Sequence, residues 1–79
     1  MEKNMPEKKF ASGSMVATVW KNENVKDGQG FEYKTVSLQR RYTDKSGKWQ
    51  SSSSLRLNDL PKAKLVLEEA YKYLALKAE

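Results

Sequence analysis

The only long apolar stretch of the sequence is NDLPKAKLVLEEAYKYLALKAE, residues 58–79. Asn58 or Asp59 can cap a helix there, and Pro61 falls in the first turn, where its missing N–H is no loss. At about 100° per residue, Leu60, Ala63, Val66, Leu67, Ala70, Tyr71, Tyr73 and Leu74 share one broad arc, which is expected to face a sheet. A chain of 79 residues buries only about 60% of its unfolded surface. This helix must therefore supply most of a thin core, or a second copy must complete it. Leu65 and Leu76 stand on the other side of the helix among Glu69 and Lys72. A second apolar stripe wants a second partner, so these four residues are the expected dimer contacts.

Upstream, the period changes from helical to alternating. FASGSMVATVW, residues 10–20, is rich in β-branched and aromatic residues and reads as a short strand, a bend or bulge at Gly13, and a longer strand. The Asn-, Asp- and Gly-rich KNENVKDGQG then reads as a break. FEYKTVSLQRRYT, residues 31–43, alternates long enough to be one strand. DKSG is a turn whose Gly47 can take positive φ, and KWQSSSSLRLN returns as the antiparallel partner. Trp49, Leu55 and Leu57 frame the serine run, which favours a strand over a linker. Residues 1–9 are polar and aperiodic and read as a flexible tail. The expected fold is α+β, a single domain over residues 10–79: an antiparallel sheet of three to four strands followed by one long C-terminal helix, β-β-β-β-α, forming a homodimer.

The chain has no cysteine and no histidine. Their absence removes thiolate metal sites, thiol nucleophiles, the usual general base and the commonest metal ligand. No enzyme, no cofactor, no metal site and no small-molecule substrate is expected. No window approaches the roughly 20 apolar residues that span a bilayer, and the first ten residues do not resemble a signal peptide. No membrane partner is expected, and a cytoplasmic, nucleoid-associated location is.

The net charge is +5, from 15 Lys+Arg and 10 Asp+Glu. Within residues 34–58 six basic residues, Lys34, Arg40, Arg41, Lys45, Lys48 and Arg56, face Asp44 alone, so this window carries the whole imbalance. Period-2 geometry assigns Met15, Ala17, Val19, Val36, Leu38, Leu55 and Leu57 to the face under the helix. The opposite face collects Val16, Thr18, Trp20, Phe31, Tyr33, Thr35, Ser37, Gln39, Arg41, Ser52, Ser54 and Arg56. Aromatic rings on a basic sheet can stack on unpaired bases, cations follow the phosphates, and small hydroxyls donate to phosphate or base edges. Arg40 and Tyr42 share parity with the buried face, so the hairpin is expected to project past the helix or to carry a bulge; Trp49 is subject to the same ambiguity.

The order short strand, Gly, strand, loop, long hairpin, helix resembles the single-stranded DNA-binding domain of transcriptional positive cofactor four and its small bacterial relatives, related in fold to the Whirly proteins. The resemblance covers residues 10–76 and rests on GSMVATVWKN, RRYTDKSGKW and LRLNDLPKAKLVLEEA. It implies a homodimer formed largely through the C-terminal helices, binding single-stranded DNA with little sequence preference. Such proteins act as transcriptional coactivators or as replication and recombination accessories. Trp20 and Lys21 match an aromatic and a lysine at the end of that family's second strand. Tyr42 matches a ridge aromatic, and Arg40, Arg41 and Lys48 match basic ridge residues. Ser51 to Ser54 replace a more basic segment, and NENVKDGQG is longer than the usual turn. The full expected nucleic-acid-binding set is Trp20, Lys21, Tyr33, Lys34, Gln39, Arg40, Arg41, Tyr42, Lys45, Lys48, Trp49, Ser52, Ser54 and Arg56.

Two other readings fit the pattern. A three-strand-plus-helix domain of the integrase amino-terminal type would lay its sheet in the major groove of duplex DNA and needs no dimer. A protein-interaction homodimer would use the aromatic face on a polypeptide and bind independently of salt. RNA is a further candidate ligand for the single-strand reading.

Overall fold

A computed structural model describes residues 3–76. Four strands, β1 (Lys3–Ser12), β2 (Met15–Lys26), β3 (Gln29–Thr43) and β4 (Trp49–Ser52), lie side by side in chain order as one antiparallel sheet. A 3₁₀ turn at Leu57–Asp59 leads into the single helix, α1 (Leu60–Ala75). The α+β class and the β-β-β-β-α order are those expected from the sequence.

Two of the strands are longer than the composition suggests. KNENVKDGQG is not a break: β2 and β3 pair through it as far as Lys26 and Gln29. The reversal needs only Asp27 and Gly28, at φ 54° and 78°, the paired left-handed conformations whose twist matches a two-residue hairpin and which Asp-Gly adopts most readily. This distal ribbon has no buried face, so no hydrophobic alternation marks it.

The expected tail over residues 1–9 is corrected as well. Lys3–Ser12 is a full edge strand paired with β2; Met1 and Glu2 lie outside the described residues. Its ordering comes from the ladder to β2, which its own composition does not reveal. Pro6 is tolerated because an edge strand leaves one row of backbone groups outside the sheet. The register slips between Pro6 and Lys8, leaving Glu7 bulged. At the other end, Gly13, at φ 58°, opens the two-residue turn that returns β1 into β2.

The core lies between α1 and one face of the sheet. Met15, Ala17 and Val19 of β2 pack against Ala63, Val66 and Ala70 of α1, with Phe10, Leu38 and Leu55 beside them. Tyr73 meets Phe10 edge-to-face, ring centroids 6.0 Å apart. The buried helical stripe is narrower than the arc expected: Tyr73 on one flank, and Leu60, Leu67, Tyr71 and Leu74 on the other, remain exposed. Small alanines at 63 and 70 let the helix sit close on β1 and β2, which leaves that flank overhanging. Leu57 is 81% exposed and not a core residue, because the chain has already left the sheet. β4 ends at Ser52, so Ser54, Leu55 and Arg56 form the crossover to the helix rather than more strand. The described fold is long and thin, 48 × 34 × 17 Å with a radius of gyration of 15.3 Å; a globular chain of this length has about 12 Å.

Candidate nucleic-acid interface

Directly paired residues share a face, so the register fixes which side chains stand together. Away from the helix lie Lys9 and Ala11 of β1, Val16, Thr18, Trp20 and Asn22 of β2, and Phe31, Tyr33, Thr35, Ser37, Gln39 and Arg41 of β3, with Ser51 and Trp49 of β4 opposite Arg41 and Thr43. The middle of this open face is recessed: Thr18 is only 7% exposed. Lys9, Trp20, Ser37, Gln39, Arg41 and Ser51 line the resulting shallow groove.

Aromatic rings occupy both ends. At one end the Phe31 and Tyr33 rings lie 6.0 Å apart and 24° from parallel, both exposed. Trp20, a strand away, is half-buried and donates its indole N–H to Ser37 Oγ at 2.9 Å. Asn22 is buried beneath and donates to Thr35 Oγ1 at 3.0 Å and to the Tyr33 carbonyl at 3.3 Å. At the other end the Arg41 guanidinium lies over the Trp49 indole, 5.6 Å from its centroid, and Trp49 is 65% exposed. Gly13, Ser14, Val16, Arg41 and Trp49 together enclose a second hollow there.

The β3–β4 turn beside this end is built on one carboxylate. Asp44 Oδ1 accepts from Ser46 Oγ at 2.7 Å and from the backbone N–H groups of Ser46 and Lys48, and Oδ2 accepts from Gln50 Nε2 at 3.0 Å. These donors, the Ser46 hydroxyl foremost and the Gln50 amide next, hold the Asp44 carboxyl down to about 2. Lys45 and Lys48 project from this fixed turn without an ion pair among the described residues.

The carboxylates of the strands are all on the helix side. Lys21 pairs with Glu23 at 3.6 Å and Glu32 at 3.4 Å. Lys34 pairs with Glu7, whose other oxygen accepts from the Tyr73 hydroxyl at 2.7 Å. The Lys34 bond, and then the Tyr73 bond, lower the Glu7 pKa, and the Glu7 carboxylate raises that of Tyr73. The open face thus presents Lys9, Lys26 and Arg41 with no strand carboxylate beside them.

The structure divides the expected site. Trp20, Tyr33, Gln39, Arg41 and Trp49 share the open face, and Lys45 and Lys48 sit at its end. Lys21, Lys34, Arg40, Tyr42 and Ser52 are on the helix side. Arg40 lies over the Tyr42 ring at 4.9 Å, donates to the Ser54 carbonyl at 3.2 Å and approaches Asp59 at 3.6 Å. Pairing Arg40 with Ser52 and Arg41 with Ser51 corrects the expected placement of Ser52 on the open face and puts Ser51 there instead. Ser54 and Arg56 lie beyond the sheet. Lys9 escapes a reading of the sequence because its segment looks like a tail; the two-residue Gly13–Ser14 turn before MVATVW is the available sign of a hairpin. Of the expected dimer contacts, Leu65 and Leu76 are exposed, while Lys72 pairs along the helix with Glu68 and Glu69.

Comparison with protein-family models, curated proteins and solved structures gives no match for this chain.

Proposed function

We propose that the chain is a homodimeric single-stranded nucleic-acid-binding protein, without enzymatic activity, that receives the strand on the open face of its sheet. The observation that carries this reading is the separation of charge: Glu7, Glu23 and Glu32 are all on the helix side with lysines against them, and the opposite face keeps Lys9, Lys26, Arg41 and four aromatic rings. A polyanion meets no strand carboxylate there, and unpaired bases find flat π-faces at both ends of a hydroxyl-lined groove. Base edges of a duplex are not flat faces, which favours a single strand. The resemblance to the positive cofactor four domain points the same way, with single-stranded DNA as the ligand and little sequence preference.

An electrophoretic shift series with single-stranded DNA, duplex DNA and single-stranded RNA of equal length tests the reading. Single-stranded DNA should shift at the lowest protein concentration. Duplex bound as tightly as the single strand would reject it.

A further inference from the structure

At the aromatic end of the open face, one polar side chain is only half satisfied. Asn22 is 5% exposed. Its side-chain N–H groups reach Thr35 Oγ1 at 3.0 Å, the Tyr33 carbonyl at 3.3 Å and the Trp20 carbonyl at 3.5 Å. Backbone carbonyls can only accept, so the nitrogen of the carboxamide must be the atom that meets them, and the oxygen faces away. That oxygen, Oδ1, receives no hydrogen bond from any described residue. Among the described residues no fully enclosed side-chain polar atom lacks a partner, so Oδ1 keeps an opening to the surface. By register that surface is the open face, where Asn22 stands directly opposite Tyr33.

The rings around this oxygen suit a flat ligand. Trp20 pairs with Thr35, which makes Tyr33 its diagonal neighbour across the two strands. Residues in that relation stand roughly 7–8 Å apart, twice the ~3.5–4 Å of a carbon-to-carbon contact. One planar ring therefore fits edge-on between them, its edge directed at Asn22. Both walls are held: the Trp20 indole N–H is bonded to Ser37 at 2.9 Å, and Phe31 stacks beside Tyr33.

We propose that this end of the face is a base-reading subsite. It takes one unpaired base that carries an exocyclic amino group, standing between the Trp20 and Tyr33 rings and donating that amine to Asn22 Oδ1. The subsite rests on the open-face reading above and limits its tolerance of sequence at one position. Cytosine, adenine and guanine carry such an amine, and thymine and uracil do not. The ring N–H of thymine or uracil is no substitute, because it lies between two carbonyl oxygens that would be driven against Oδ1. A base without the amine covers Oδ1 and leaves it unpaired, and a covered acceptor without a donor is the costly case.

Cytosine and uracil share one ring and differ in having an amine or a carbonyl oxygen at the same edge. Oligo(dC) and oligo(dU) of equal length therefore isolate the amine, and in a homopolymer every register fills the subsite with the same base. At mildly alkaline pH, where cytosine carries no extra proton, the parent protein should bind oligo(dC) about fivefold more tightly than oligo(dU), the worth of one net hydrogen bond. Equal affinities, or a preference for oligo(dU), would overturn the subsite and leave the open-face reading standing. Failure to bind either strand would overturn both. Asn22→Ala should bring the ratio to about one, and a folded N22A protein that keeps the preference would overturn the role of Asn22. Because Asn22 is buried, a second measurement uses no substitution. The carbon-13 resonance of the Asn22 side-chain carbonyl should move well further with oligo(dC) than with oligo(dU); equal shifts would overturn the proposal whether or not N22A folds.

Discussion

The indole N–H of Trp20 is bonded to the hydroxyl of Ser37 on the neighbouring strand, at 2.9 Å. The bond uses the one polar edge of the ring and fixes its plane in the groove, which leaves only its face for a ligand. Trp20→Ala should weaken single-strand binding by roughly 1–3 kcal/mol, the usual worth of a base–aromatic stack, with the salt dependence unchanged. Ser37→Ala should weaken it less, because the ring stays and only its orientation loosens. Anisotropy titrations at several salt concentrations measure both. A Trp20→Ala protein that binds like the parent would remove Trp20 from the site, and one that unfolds would make it part of the core.

Arg40 and Arg41 are adjacent in sequence and opposite in role. Arg41→Ala should reduce the magnitude of the salt slope by about 0.7 for each phosphate that Arg41 neutralises and leave thermal stability alone. Arg40→Ala should leave binding alone and cost about 1–3 kcal/mol of stability, since its guanidinium joins the Ser54 carbonyl and Asp59 at the entry to α1. Thermal melts and titrations on the two variants check the division; the reverse pattern would exchange the faces.

Met15 and Val16 divide in the same way between core and groove. Met15 is fully buried, and Val16 opens on the groove. Met15→Ala should destabilise by roughly 2–5 kcal/mol, enough to unfold much of a small domain. Val16→Ala should cost less than about 1 kcal/mol. Chemical denaturation followed by circular dichroism gives both values.

Those neighbouring pairs show why parts of the fold are legible in the sequence. The helix carries its period and Pro61, and the middle of β2 and β3 alternates because one face is buried, so element order and the placing of Trp20 and Arg41 can be read. Most of β1 cannot: only its end before Gly13 reads as a short strand, and residues 3–9 have no strong strand preference and owe their order to backbone pairing with β2. The ribbon from Asn24 to Phe31 has no buried side to print a pattern. Charge counting also places Lys34 and Arg40 with the ligand, and the resemblance adds Lys21, because neither sees Glu7, Asp59, Glu23 or Glu32 reach them in the fold.

The Asp44 turn gives a pH prediction. Its carboxyl titrates at about 2 in the fold, below the ordinary 3.8. A depressed folded pKa stabilises above the ordinary value, so the contribution is full above about pH 3.8 and vanishes as pH falls through 2. A carbon-detected NMR titration of the Asp44 carboxyl should have its midpoint near 2. Asp44→Ala should speed amide exchange at Ser46 and Lys48, whose N–H groups the carboxylate holds. A midpoint near 3.8 would mean that the turn is open in solution.

The most direct measurement for the open face is the affinity of the parent protein for a single-stranded oligonucleotide across a salt series, read by tryptophan fluorescence. Lys9, Lys26, Arg41, Lys45 and Lys48 are the cations at this face and its ends. At about −0.7 per phosphate neutralised, three or four neutralised phosphates give a slope of log K against log salt of roughly −2 to −3. That slope, with quenching of both tryptophans, is the expected result. A slope near zero, or binding that leaves the tryptophan emission unchanged, would contradict the assignment of this face to nucleic acid.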